Sequence, residues 1–164
     1  MKIPVNPVAL GAGLVAVAAA VGAVFYMQRG AHVELKGAIL KVRTQAMDES
    51  SAVAIVDFRF VNPSNYPFVV REVQVWLEDK DGKRLEGMVV SESDARRLFQ
   101  YYPLLGQKFN DSLRVRNKVA GRQSMDRMIA ARFEIPDEKL QARRRLGVRI
   151  EDVDGPVSEL VEFR

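Results

Sequence analysis

The stretch Ala54-Ile55-Val56-Asp57-Phe58-Arg59-Phe60-Val61, closed by Asn62-Pro63-Ser64-Asn65-Tyr66-Pro67, decides the fold class. Ala54, Val56, Phe58 and Phe60 fall on one parity and Asp57 and Arg59 on the other, the period of two expected of a strand with one buried face. Two prolines and two asparagines then forbid a continuing ladder and supply turn-forming side chains. Working outward, Phe68 to Glu78 resumes the alternation, with Val69, Val73, Val75 and Leu77 assigned to one side. Asp79-Lys80-Asp81-Gly82 reads as a hairpin turn returning through Leu85 to Val90. Further strands are expected at Leu113 to Val119 and at Ile129 to Ile135, and a last hairpin from Gly147 to Phe163 around Asp154-Gly155. In His32 to Thr44 the apolar parity changes near Gly37, which predicts a bulge or bend at that glycine.

One segment breaks the pattern. Ser91 or Ser93 is placed to cap a helix whose first turn carries Glu92 and Asp94, and Leu98, Tyr101 and Tyr102 recur at helical spacing until Pro103. A helical turn is also expected from Asp137 to Arg145. The sum is an all-β chain: an antiparallel, immunoglobulin-like β-sandwich of about seven strands with one short inserted helix. Phe58, Phe60, Val75 and Phe133 are its expected core.

Upstream, Val8 to Met27 is an uninterrupted run of twenty residues without charge, Pro, Asn or Gln. At ~1.5 Å per helical residue it covers ~30 Å, a bilayer's hydrocarbon core, whereas a signal-peptide apolar region is ~7–15 residues. Residues 1–30 are therefore expected to be a single N-terminal transmembrane anchor, and 31–164 one β-sandwich domain. Charges flanking the run favour a cytoplasmic domain. A very short tail, one span and a compact β domain is instead the layout of exported bacterial proteins, and on that ground the domain is expected to be extracytoplasmic, in a periplasm.

Composition excludes more than it selects. The chain has 25 basic and 21 acidic residues, and removing Lys2 and Arg29 of the anchor leaves 23 against 21, too even for a nucleic-acid partner. With no cysteine there is no disulfide, thiolate metal site or Cys nucleophile. A lone histidine, His32, has no second His or Cys to work with and reads as an interfacial surface residue. No phosphate loop or nucleophile elbow occurs, so no catalytic, cofactor-binding or metal residues are assigned and no small-molecule substrate is evident. Glu151-Asp152-Val153-Asp154-Gly155 reads as a structural turn in preference to a weak calcium site. The cluster Arg143-Arg144-Arg145 with Arg149 reads as a solvated face in preference to a lipid or acidic-partner contact.

Val56 to Ser64, the alternating strand after it, Asp81-Gly82 and Leu85-Glu86-Gly87 resemble the late embryogenesis abundant group 2 family, also called water stress and hypersensitive response domains. Trp76-Leu77-Glu78-Asp79 with Asp81-Gly82 is similar to the FxLYD type of bacterial β-sandwich. The resemblance implies a seven-stranded sandwich without an enzymatic site, in binding or protecting roles.

Arg96-Arg97-Leu98-Phe99-Gln100-Tyr101-Tyr102-Pro103 is the most unusual local composition, because arginines beside aromatics are enriched in interfaces. Arg96, Arg97, Phe99 and Tyr101 are the candidates for contact with another protein; the competing reading makes Leu98, Phe99 and Tyr102 a cover over an open end of the sandwich. The expected function is a membrane-anchored, non-catalytic domain that binds or supports a partner at the membrane surface. An alternative is a small accessory subunit of a larger membrane complex, with the small-residue faces of the anchor (Ala9 and Gly13; Ala12, Ala16, Ala20 and Ala23) packed on other spans.

Overall fold

The computed structural model describes residues 7–28 and 34–162. A helix, α1, runs Pro7–Gln28, and eight strands follow: β1 (Lys36–Ala46), β2 (Ala52–Val61), β3 (Phe68–Glu78), β4 (Arg84–Val89), β5 (Lys118–Val119), β6 (Ser124–Phe133), β7 (Arg145–Asp152) and β8 (Val157–Val161). Helix α2 (Glu92–Tyr101) and a 3-10 turn (Pro103–Leu105) lie between β4 and β5, and α3 (Asp137–Gln141) between β6 and β7. His32, Val33 and Phe163 lie outside the described residues.

Every strand pairing is antiparallel, in the order β1-β2-β6-β4-β3-β7-β8, with β5 added beside the start of β3. The sheet is nearly barrel-shaped. Its curl is concentrated in β4, whose first half pairs with β3 (Gly87 opposite Val75) and whose last residues pair with β6 (Met88 opposite Arg132). The two ends of the order meet where the Leu35 amide donates to Ser158 Oγ at 2.7 Å.

The inside is filled by the parity the alternation assigns. Phe58, Phe60, Val75 and Phe133 are buried in one apolar cluster with Val56, Leu77, Ile129, Val148 and Ile150. Two glycines allow close approach here. A Cβ on Gly87 would lie 2.6 Å from the Phe133 ring, and one on Gly37 would lie 2.1 Å from the Arg59 carbonyl oxygen. Asn62, which ends β2, is fully buried, and its amide donates to the carbonyls of Tyr66 and Val119 while Oδ1 accepts from the Ser64 backbone and hydroxyl. The Asn-Pro turn is thus fastened to β5 by one satisfied side chain.

Several sequence-based expectations need correction. The face change in β1 is a bulge at Leu40, between Ile39 and Lys41, not at Gly37; the extra residue leaves the ladder and stands exposed. Val69 does not share the inner face with Val73, because a second bulge between Val70 and Glu72 shifts the register, and Phe68 and Val70 point inward instead. Leu113 to Val119 is mostly loop: only Lys118–Val119 pair, and Arg116 adopts φ 67°, which a strand cannot accommodate. The helical turn stops at Gln141. Arg143 is buried rather than solvated, and its guanidinium forks onto Glu162 at 2.9 and 3.0 Å while donating to the Leu140 carbonyl. Arg144, 3.3 Å from Glu78, and Arg145 are exposed, as a solvated face requires.

The backbone of α1 is helical over 22 residues, about 33 Å at 1.5 Å per residue. Its side chains are described for residues 11–24 and 26. Among the described residues no helix is long and apolar enough to cross a membrane; residues 11–24 alone would cover ~21 Å against a hydrocarbon core of ~30 Å.

Candidate interaction surface on the outer helix

β2 is covered on both faces. Its outward residues Val53 and Ile55, with Met128 and Ala130 of β6, are buried beneath Ala95 and Leu98 of α2 and Leu105 of the 3-10 turn. The local sequence explains why a helix forms there. Ser91 sits in an extended conformation and its Oγ accepts from the Asp94 amide, Glu92 and Asp94 occupy the first turn, and Ala95 and Leu98 present an apolar stripe three residues apart. Pro103 begins the 3-10 turn, which ends at Gly106 with φ 72°.

Two polar ties bind this cover to the sheet, and a third closes the segment on itself. Arg43 of β1 donates to Asp57 Oδ2 of β2 at 2.6 Å, and its other terminal nitrogen donates to the Leu105 and Gln107 carbonyls at 2.6 and 2.8 Å. The guanidinium lies over two rings, 5.1 Å from the centroid of Phe99 and 5.7 Å from that of Phe109. Both side chains of the pair are nearly buried, at 9% and 6% exposure. Asn110 completes the ring by donating to Asp57 Oδ1 at 3.0 Å. Farther along, Glu92 accepts from Lys108 Nζ at 2.9 Å and from the Ser112 amide at 3.0 Å. Burial opposes the ionisation of Glu92, but the bonds from Ser112 and Lys108 override it and pull the carboxyl down to about 2.

With the inner side committed to packing, the outer side is left with apolar surface. Tyr101 is 77% exposed, Leu104 91% and Phe109 66%. Of the sequence-predicted residues, Arg96 and Arg97 are exposed beside Tyr101; Arg97 makes a short-range pair with Asp94 at 3.3 Å, and Arg96 reaches Glu92 only at 3.8 Å. Phe99 is turned inward, packed on the outer cluster and over Arg43. Leu104 and Phe109 escaped the sequence reading because neither lies on a periodic segment. The Arg43–Asp57 pair left no signal beyond two polar residues at outward positions of adjacent strands.

Among the described residues there is no group of three or more His, Asp or Glu placed to hold a metal ion. Asp152, in the acidic turn, accepts from the amides of Val69 and Asp154 and so ties its turn to the start of β3.

No family model and no curated protein matches the chain. A solved structure, that of the Iho670 flagellar-like filament, aligns with 96% of this chain and 98% of its own at 12% identity and a TM-score of 0.35. A likeness that loose carries no argument about fold or function.

Proposed function

We propose that this chain is a single-pass membrane protein, anchored by α1, whose β domain has an immunoglobulin-like shape of the late embryogenesis abundant group 2 kind and binds a protein partner at the membrane surface without catalysis. The observation that carries the reading is the outer side of the α2 cover: Tyr101, Leu104 and Phe109 stand exposed with Arg96 and Arg97 on a platform whose other side is fixed by core packing and ion pairs. Rigid aromatic side chains and planar cations bury much area for little conformational entropy, which suits them to recognition. Support for the anchor comes from α1 itself, which is apolar on every side, as a helix surrounded by lipid or by other helices must be. The absence of catalysis is supported by the way Asp57, Glu92 and Asp126 are each spent on an ion pair inside the domain.

A second reading, an accessory subunit of a larger membrane complex, is favoured by the small residues Ala12, Ala16, Ala20 and Ala23 on α1, which permit close helix contact. Extraction in mild detergent separates the two. A stoichiometric complex that survives loss of the α2 contacts supports the subunit reading; a monomer with a dissociable partner supports the first. For orientation, the domain is proposed to lie outside the cytoplasm, so protease added to intact spheroplasts removes it, and full protection overturns that assignment.

A further inference from the structure

We infer that the end of the barrel from which the chain continues to α1 is a docking surface for an anionic bilayer, an inference that rests on α1 being a membrane anchor. The register defines this end: Lys36 is opposite Val61, Val61 is opposite Ser124, and Phe68 is opposite Val119. Three loops cap it, residues 62–67, 116–123 and 153–156. They are stitched into one platform, since the Arg122 amide donates to the carbonyls of Asn62 and Ser64, the Arg116 amide to Val70, and the Val153 amide to Val69.

The platform carries what a headgroup layer would meet. Arg116, Lys118 and Arg122 are exposed, and none has a carboxylate partner among the described residues. Asp154 is the acidic residue of the three loops. Tyr66 and Val153 are half-exposed on the two neighbouring loops, an amphipathic ring and a small apolar side chain of the kind that sits at a membrane interface. Backbone strain singles out the cations. Among the described residues Arg116 (φ 67°) and Arg122 (φ 62°) are the non-glycine residues in the left-handed region, a conformation that Gly or Asn adopts at far less cost. Arg122 Nε donates to Asn65 Oδ1 at 3.0 Å and so helps to fix the platform; at Arg116, arginine held in this conformation argues that the side chain, rather than the turn, is what the position serves. The occupant follows from the covalent chain: seven residues, hence eight Cα steps, separate Gln28 from Lys36, a span of at most ~29 Å, so an anchored domain keeps this end on the lipid side.

The test uses the full chain in vesicles. Because the chain has no Cys, Ala120→Cys offers a single exposed label site within the platform. Label quenching by spin-labelled headgroups is measured in phosphatidylcholine vesicles and in vesicles that also contain phosphatidylglycerol, for the labelled parent and for Arg116→Asn/Lys118→Gln/Arg122→Asn. Asn accepts the left-handed backbone, so the variant keeps the fold; if it does not melt like the parent, Lys118→Gln alone carries the comparison. The expected result is co-flotation with both vesicles, quenching only with the anionic lipid, its loss at high salt, and a fall in the docked-to-free ratio of roughly fivefold per cation removed, on the order of 100-fold for three. Co-flotation with equal quenching in both lipids overturns the docking and leaves the anchor standing. Failure to co-float with either overturns the anchor, and the docking with it.

Discussion

The inner and outer faces of β2 solve the same problem by different means. Inward, Phe58 and Phe60 stack with ring centroids 5.8 Å apart in an apolar cluster, so that face is held mainly by buried area, with the hydrogen-bonded Asn62 at its end. Outward, Val53 and Ile55 contribute to a smaller apolar plug, and two residues along the same strand Asp57 joins the buried pair that fastens the α2 cover. A face closed by area is hard to open in parts. One closed by a small plug and a few ion pairs is a separate unit that can loosen while the barrel stays folded.

Removing mass from the inner face has the largest expected effect. Phe58→Ala should cost about 3–5 kcal/mol, read as a drop in the global denaturation midpoint. A loss below about 1 kcal/mol would erase the distinction, because the inner face would then be no better packed than the outer.

Next comes Asp57→Ala, which leaves Arg43 nearly buried without its carboxylate. Breaking a buried pair costs about 3–5 kcal/mol where no other partner remains, but Arg43 keeps two carbonyl acceptors and two aromatic faces, so about 2 kcal/mol is expected here. Hydrogen exchange sharpens the contrast: amides of residues 92–112 should exchange faster while those of β3 and β7 keep parental rates. Uniform acceleration across the barrel would show that cover and core are one unit.

A smaller effect is expected from acid. Since the Glu92 carboxyl is held at about 2 against an ordinary 4.5, its contribution is complete above pH about 4.5 and is lost as pH falls through about 2. The cover should therefore loosen across that window. Asp48, which Ser51 and Ser50 also hold at about 2, titrates in the same range at the β1–β2 turn, so Glu92→Gln is the informative control. In that variant the protection factors of amides near Ser112, corrected for the intrinsic pH dependence of exchange, should no longer change between pH about 4.5 and about 2.

The inner face was legible in the sequence because period-two alternation is a direct consequence of burying one side of a strand; Phe58, Phe60, Val75 and Phe133 needed nothing more. Bulges were not legible at residue level. A change of parity in β1 revealed that one exists, but Leu40 and Gly37 both satisfy it, and only the cross-strand register distinguishes them. The helix was legible from Ser91, Glu92, Asp94 and Pro103, which are local signals. What it covers was not, because Ile55, Met128 and Ala130 are joined by pairing between distant segments. Arg143 misled for the same reason: its partner, Glu162, comes from elsewhere in the chain, whereas its neighbours Arg144 and Arg145 are exposed as expected.

The claim that matters most for function is that the outer side of the α2 cover is surface kept for a partner. The direct measurement is Arg97→Ala with Tyr101→Ala in the full chain, followed by thermal melting and by recovery of whatever co-purifies with the parent from mild detergent. Both side chains are largely exposed, so stability should stay within about 0.5 kcal/mol of the parent while the partner is lost. A lower melting temperature with the partner retained would contradict the account and make the helix a lid on the fold; unchanged behaviour in both assays would remove this surface from the function.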